Sequence, residues 1–545
     1  ISEASKALKK SKNEPVTIKI GLTEQQVAQF SERKPFFKGV TIQSKLTRTY
    51  PYSDLFAHVI GYVGRISDND SKKLDKKLYA GTDLIGKTGI EKYYESLLLG
   101  KPGYQSIETN AYGDIIKKLD TKPPIPGNDI YLSLDYGLQK LTSDLLNGKR
   151  GAAVAIDPST GEILAFVSNP SFDPNPFITG ISSREYKALQ QDPDMPLYNR
   201  ALQGQYPPGS SIKPIEGLAG IHYGIMGWDS SIYDPGYFSL PGDSHKFRDW
   251  KKSGHGNVNL HKSVVESVDT YYYKLSYQLG IDRLHDWMTR FNFGSKTGID
   301  LPGEKTGVYP STDWKMKTYK KAWLPGETIS VSIGQGYFLA TPLQIANGIA
   351  MLAGDGQHLT PHLLKKSTGA EHVTPIEKPD GKIQYNGNPN DWQRMHLAME
   401  DVVKKGTAHN IYTPTYRIAG KTGTAQVKSI AQGKRYNEAA LDSRHWDHGW
   451  FVGFAPVENP QIAIAVIVEN GRHGGWVAPI VRKMMDYWLI DKIKKPIVPP
   501  SPEELVKINA EKQAAKLQRE ALVLSGKPII AKPNTAKLTA VGDAD

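Results

Sequence analysis

Two stretches far apart in the chain share one grammar. From Gly151 the sequence reads GAAVAIDPSTGEILAFVSNPSF, and from Trp450 it reads WFVGFAPVENPQIAIAVIVENG. Each is a pair of short apolar runs around a turn built from Asp, Asn, Pro, Ser or Gly, the pattern of a β-hairpin. Between them lie helical patterns, such as Ile215–Tyr223 and Ser263–Gly280, separated by Gly/Pro turns. Hairpins at both ends of a helix-rich middle predict an antiparallel sheet assembled from distant segments and flanked by helices, in an α/β or α+β domain. The flanks differ in texture. Residues 1–125 are polar and lysine-rich, and TKPPIPGND at 121–129 reads as a linker. After Ile497 come VPPSPEEL, a charged amphipathic helix in EELVKINAEKQAAKLQREAL, and a low-complexity end expected to be disordered. At 545 residues the chain is too long for one core. The expected division is 1–125, then 126–497, then 498–545.

Composition excludes several chemistries. There is no cysteine, hence no disulfide, thiolate metal site or cysteine nucleophile. The longest apolar run, Ile462–Val468, is strand-sized and far short of a bilayer span. The chain opens at Ile1 with no leader pattern, as a processed or truncated form would. A net charge of +12 invites a nucleic-acid reading, but no helix-turn-helix, zinc-finger or ribonucleoprotein pattern accompanies it. Attraction to an anionic membrane or wall polymer, or a solvated surface, fits better.

Residues 81–88, GTDLIGKT, match the phosphate-loop pattern without a mismatch. That loop needs a buried strand before it, and KKLDKKLYA is no such strand. The triplet Lys87-Thr88-Gly89, which runs one residue past the match, recurs at 296, 305 and 421.

YPPGSSIKP, residues 206–214, is the sharpest local signal. Pro207-Pro208-Gly209 stops the preceding element, and Ser210 to Lys213 predicts a helix start. Positions i and i+3 share a helix face, so the Ser210 hydroxyl and the Lys213 ammonium are expected to touch. The free N–H groups and dipole of a helix N-terminus suit a developing oxyanion. A desolvated lysine there can serve as a base toward the serine. Ser267-Val268-Asp269 could bridge that nucleophile to an amine and orient a lysine. RIAGKTGTAQV, residues 417–427, reads as an edge strand whose Lys421, Thr422 and Thr424 can bind a carboxylate. Gly423 there would let a substrate backbone approach. The copies of Lys-Thr-Gly at 296 and 305 sit among turns and read as loops.

S-x-x-K, then S-x-N/D, then K-T-G is the motif set of penicillin-binding proteins and serine β-lactamases. PPGSSIKP, DPGYFSLPG, SVDTYYYKLSYQLGIDRL, TGIDLPGE, SIGQGYFLATPLQIA and GKTGTAQV together resemble the class B, monofunctional penicillin-binding proteins. The nearest branch is the elongation-specific one of Gram-negative rods. The similarity spans about residues 40 to 490, including the pedestal stretches YPYSDLFAHVIGYVGRI and GKTGIEKYYE. It implies a penicillin-binding/β-lactamase-like transpeptidase domain on an N-terminal pedestal. It implies that Ser210 is acylated, Lys213 is its base, Ser267 and Asp269 relay protons and position Lys213, and Lys421, Thr422 and Thr424 hold the substrate carboxylate. The N–H groups of Ser210 and Thr424 would form the oxyanion hole. The implied substrate is a peptidoglycan stem peptide ending in D-Ala-D-Ala, with β-lactams acylating the same serine. Implied partners are a membrane SEDS-type glycosyltransferase and other elongation-complex proteins, with no nucleic acid. The implied location is the periplasmic face of the inner membrane, through an anchor that this chain lacks.

No cofactor is required by that chemistry. Asp234, Asp243, His245, Asp249 and His255 crowd one loop-like stretch with oxygen and imidazole donors suited to zinc. Relatives thought to carry zinc use two Asp, one His and a Cys in the second motif, which would make the ligands here Asp234, Asp249 and His255. Val268 stands where that Cys would be. Three alternatives remain from the residues. A β-lactamase shares the motifs but is shorter and needs fast deacylation. A non-catalytic scaffold or drug sensor would not need Ser210, Lys213 and Lys421. A Ser-His-Asp hydrolase lacks its G-x-S-x-G here.

Overall fold

A computed structural model describes residues 18–19, 21–37, 39–44, 47–79, 82–109, 115–369, 381–427 and 442–524. Gly81 of the phosphate-loop match and the low-complexity end after Leu524 lie outside them.

The two hairpins meet in one sheet. Its strands are β1 (Gly151–Ile156), β2 (Ile163–Asn169), β3 (Ala419–Ala425), β4 (His448–Ala455) and β5 (Ile462–Val468). The order across it is β3-β4-β5-β1-β2, every neighbour antiparallel. Ala463–Val468 of β5 pairs with Gly151–Ile156 of β1, which closes the distant hairpins on each other. β1 and β5 are buried along their whole lengths, which explains why they read as continuous apolar runs rather than alternating ones. The Lys-Thr-Gly strand β3 is an outer strand of the sheet.

Helices cover both faces. The ones used below are α1 (Tyr136–Leu146), α2 (Lys213–His222), α3 (Leu260–Val265), α4 (Asp269–Leu279), α5 (Pro342–Ala353), α6 (Asn390–Lys404) and α7 (Gly474–Asp486). Every residue of α5 is buried, and it lies against β5, β1 and β4. Helices α1 and α7 touch each other and cover β2 and β4. α5 starts on a Thr341 capping box with Pro342 in its first turn, a stop-and-start signal legible in LATPLQ.

One helix expected over Ser263–Gly280 is two. α3 ends at Val265, α4 begins at Asp269, and Ser267 sits between them at φ +58°. The left-handed residue turns the chain so that the second motif lies at a break instead of along a helix face.

The stretch at 121–129 is no free linker. Ile125 exchanges both backbone hydrogen bonds with Lys101, the Asn128 N–H donates to the Leu97 carbonyl, and Asp129–Leu132 pairs with Leu364–Thr368. Nor does Lys87-Thr88-Gly89 bind phosphate. The Lys87 N–H is spent on the Tyr62 carbonyl and its ammonium on Asp70. The helix behind it, Gly89–Tyr93, leads to Tyr94, whose hydroxyl donates to the Asp300 carboxylate at 2.8 Å. Asp300 is fully buried and also takes the N–H groups of Leu363 and Leu364. Val59, Ile90, Tyr94 and Leu97 share the apolar core of the sheet domain. The C-terminal helix Pro502–Leu524 reaches back to the same region, with Lys512 on Asp54 at 2.8 Å and Asn509 on the Pro51 carbonyl.

Removing Tyr94's single hydrogen bond (Tyr94→Phe) is expected to cost about 1 kcal/mol. Asp300→Ala strands three donors and is expected to cost about 3 kcal/mol. Thermal melting should rank parent, Tyr94→Phe and Asp300→Ala in that order; equal melting temperatures would show that Asp300 does not tie the two regions.

Candidate active site

The site is assembled by three segments, each shaped by a glycine or a left-handed residue. The first is the turn at the nucleophile candidate. Gly209–Ile212 is a 3₁₀ turn that runs directly into α2, so Lys213 is the first α-helical residue rather than the fourth. In a 3₁₀ turn i and i+3 eclipse, which keeps Ser210 and Lys213 on one side. Ser211 points away, its hydroxyl donating to the Pro208 carbonyl.

Gly209 sits at φ +57°, and a Cβ there would lie 2.4 Å from the Thr424 carbonyl oxygen and 2.9 Å from the Thr424 nitrogen. The absent side chain is therefore what allows β3 to close on the serine turn. Gly423 meets the same turn from the other side, its hypothetical Cβ lying 2.9 Å from the Pro208 oxygen and 3.2 Å from Ser211 Cβ. The missing side chain at Gly423 thus also leaves room for the nucleophile turn. Two bonds from the Ser332–Tyr337 stretch lock the arrangement, Gly209 N–H to the Gly334 carbonyl and Gln335 Nε2 to the Thr424 carbonyl at 3.0 Å.

The second segment is the break at Ser267, where one residue serves both lysines. Lys213 Nζ donates to the Ser267 carbonyl at 2.8 Å and to Asp269 Oδ1 at 2.6 Å. Lys421 Nζ donates to the Ser267 hydroxyl at 2.7 Å and to the Thr422 carbonyl. Both lysines are fully buried. The expected Ser210–Lys213 contact is replaced by these bonds; among the described residues the Ser210 hydroxyl has no hydrogen-bond partner. Burial holds Lys421 well below the ordinary lysine range, the Lys213 charge adds to this, and Asp269 opposes both.

The third is β3. Side chains alternate along a strand, so Thr422 and Thr424 share a face while Lys421 and Gly423 take the other. Both threonines are half-buried. The Thr422 hydroxyl lies 2.8 Å from that of Thr407, a residue in the turn after α6 that sequence reasoning did not single out.

Glu216 was also missed, being three residues past Lys213 in an otherwise apolar helix. It is buried, its carboxyl lies 3.4 Å from the Tyr309 hydroxyl, and burial raises it well above the ordinary glutamate range against the pull of Lys213.

Behind the break lie the metal candidates. Asp234, Asp249 and His255 are buried with ligand atoms within 4.8 Å of one another, whereas Asp243 is exposed and His245 half-buried, outside that group. Buried His255 Nε2 has no hydrogen-bond partner, which suits a ligand. The rest of the donor set suits one less. Asp249 Oδ2 already accepts the N–H groups of Asp269 and Thr270, and its Oδ1 accepts that of Lys251. Asp234 accepts from Gly236 and from both nitrogens offered by His255, its backbone N–H and Nδ1. Val268, fully buried, offers only carbon. The residues present make an incomplete zinc shell, and their carboxylates are already taken up by hydrogen bonds.

Comparison with known proteins agrees on one family. The penicillin-binding protein transpeptidase domain matches residues 151–486, and the penicillin-binding protein dimerisation domain matches residues 1–132. A protein of Acinetobacter baumannii named peptidoglycan D,D-transpeptidase MrdA is 60% identical over 488 residues, 90% of this chain and 73% of that protein. The crystal structure of Pseudomonas aeruginosa PBP2 in complex with WCK 5153 has a TM-score of 0.74 at 45% identity, covering 85% of this chain and 95% of that one. PBP2 of Helicobacter pylori in complex with MreC has a TM-score of 0.76 at 35% identity, covering 86% of this chain and 84% of that one.

Two measurements test the electrostatics. With its pKa raised in the folded state, Glu216 keeps its proton while the unfolded chain loses it above about pH 4.5. Stability from this group is thus full below that pH and falls as pH rises, by about 1.4 kcal/mol per unit until the folded group titrates. Glu216→Gln should therefore melt like the parent near pH 4.5 and above it near pH 7; a constant offset across pH would contradict this. Val268→Cys should restore a fourth ligand, so that zinc retained through gel filtration rises to about one per chain and zinc raises the melting temperature. An unchanged metal content would remove the metal reading.

Proposed function

This chain belongs to the penicillin-binding protein transpeptidases, and from that premise we propose how its residues crosslink peptidoglycan. It is a peptidoglycan D,D-transpeptidase. The observation that carries the assignment of roles is Ser267, held by its carbonyl to Lys213 and by its hydroxyl to Lys421 beside the exposed side of the Ser210 turn.

A stem peptide ending in D-Ala-D-Ala enters along β3. Thr422 and Thr424 hold its terminal carboxylate, and the charge of Lys421 lies just beneath. Ser210 Oγ attacks the carbonyl between the two D-Ala residues while its proton passes to Lys213 Nζ. The oxyanion forms against the N–H groups of Ser210 and Thr424, which Gly209 allows to approach each other. On collapse the C–N bond breaks. The leaving amine takes a proton from the Ser267 hydroxyl, which is replenished from Lys421. An ester on Ser210 remains. The amine of a neighbouring stem then attacks it and passes a proton through Ser267 back to Lys421; as the ester C–O bond breaks, Ser210 Oγ takes its proton back from Lys213, leaving crosslinked peptide and free Ser210. A β-lactam, which presents the same carboxylate and a strained amide, acylates Ser210 by the first half of this sequence.

Asp269 holds Lys213 in place, and Asp249 holds Asp269 by its backbone. An ion of the zinc class on Asp234, Asp249 and His255 would tie the loop to α4, and water would complete its shell. No step of the reaction passes through it. We assign residues 1–125 to the pedestal, 126–497 to the transpeptidase domain and 498–545 to the C-terminal extension. Among the described residues no helix is long and apolar enough to cross a membrane. We place the work of the enzyme at the periplasmic face of the inner membrane, where its polymer lies, alongside a glycan polymerase and an MreC-type scaffold.

Intact mass after brief exposure to benzylpenicillin, with peptide mapping, tests the assignment. A single stable adduct on the Ser210 peptide is expected, absent in Ser210→Ala, and formed at least 100-fold more slowly in Lys213→Ala. Unmodified protein with hydrolysed drug would mean a β-lactamase; unmodified protein with intact drug would mean a scaffold.

A further inference from the structure

The contact between Thr407 and Thr422 lies outside all three motifs, yet it touches the residue that meets the substrate's anion. The turn carrying Thr407 is tightly placed. Gly406 packs so close to α3 that a Cβ would stand 2.5 Å from the Val265 carbonyl oxygen, two residues before Ser267. Asn410 Nδ2 donates to the Gly475 carbonyl at 3.0 Å, at the start of α7. The Ala408 N–H returns to the Val402 carbonyl. The turn is thus pinned between the helix leading to the second motif and the helix covering the sheet, and Thr407 projects from it onto β3.

We infer that Thr407 is a positioning residue for substrate: its hydroxyl donates to Thr422 Oγ and so aims the Thr422 proton at the carboxylate of the stem peptide or β-lactam. The inference rests on Thr422 holding that carboxylate. A threonine hydroxyl has one proton and two lone pairs. In the free enzyme either hydroxyl of the pair can donate. An anion at Thr422 takes its proton, and Thr407 must then supply the proton between the two oxygens. The result is a one-way chain, Thr407 to Thr422 to carboxylate, in which each bond polarises the next. Without the Thr407 hydroxyl, Thr422 can rotate its proton elsewhere, and an acceptor lone pair loses its donor. The chain acts on the recognition of the anion and leaves proton transfer at Ser210 and Ser267 untouched.

The test is stopped-flow acylation by benzylpenicillin, resolving the dissociation constant of the pre-covalent complex from the limiting acylation rate. Thr407→Val, which keeps the shape and removes the hydroxyl, should weaken the pre-covalent complex about tenfold, or 1.4 kcal/mol, with the limiting rate unchanged within about twofold. Thr407→Ser should restore binding to within about twofold of the parent. The double variant Thr407→Val/Thr422→Val should bind no more weakly than Thr422→Val alone, since both remove the same chain. Thr407→Ala asks the same question if the valine variant folds poorly, as judged by melting temperature. Parent-like binding in folded Thr407→Val or Thr407→Ala, or losses that add in the double variant, would overturn the inference while leaving the carboxylate role of Thr422 intact. Parent-like binding in Thr422→Val itself would overturn that role, and the inference with it.

Discussion

The buried break at Ser267 governs the rest of the site. Two lysines lie in the interior, each deprived of water, and one residue satisfies both: its carbonyl takes Lys213 and its hydroxyl takes Lys421. That requires the carbonyl and side chain to point toward different elements, which a helical residue cannot do, since its carbonyl is spent along the helix axis. The left-handed conformation at φ +58° makes it possible at a local cost of about 1–2 kcal/mol. Asp269, the first residue of α4, accepts from Lys213 and places a negative charge beside the two buried amino groups.

Close approach of backbone decides how the other segments join this break. Three chain segments far apart in sequence, the serine turn, the stretch around Gly334 and β3, converge within van der Waals contact. At each crossing the residue is glycine: a Cβ on Gly334 would lie 2.2 Å from the Gly209 oxygen, and one on Gly209 would meet Thr424. The motif glycines thus serve the assembly of the site.

Local patterns made part of this legible. The hairpins at Gly151 and Trp450 carried the sheet because their apolar runs had the length and turn chemistry of strands, and β3 could be placed on an outer strand from its small residues. The three motifs gave Ser210, Ser267 and Lys421 in order. What the pattern could not show was how Ser263–Gly280 divides, because a single left-handed serine leaves no periodic trace amid residues that suit a helix on both sides. Glu216 and Thr407 were invisible for a different reason. A buried carboxyl in α2 and a threonine after α6 gain meaning only from Tyr309 and Thr422, residues far off in sequence. The TKPPIPGND stretch misled because Pro and Gly mark turns without saying whether neighbours will bond them.

The cluster behind α4 shows why the second motif keeps its geometry despite Val268. Helix α4 begins at a residue with no capping side chain, leaving its first N–H groups without a local acceptor. Asp249 provides the acceptor from another loop, taking the N–H groups of both Asp269 and Thr270 on one oxygen. A negative charge at a helix N-terminus is favourable in itself, and here it also fixes the residue that pairs with Lys213. Asp234 and His255 in turn secure the same loop through each other. Hydrogen bonds alone therefore carry the line from the loop through Asp249 to Asp269 and Lys213. Val268 offers no donor atom there, and none of the bonds that the lysines depend on passes through its side chain.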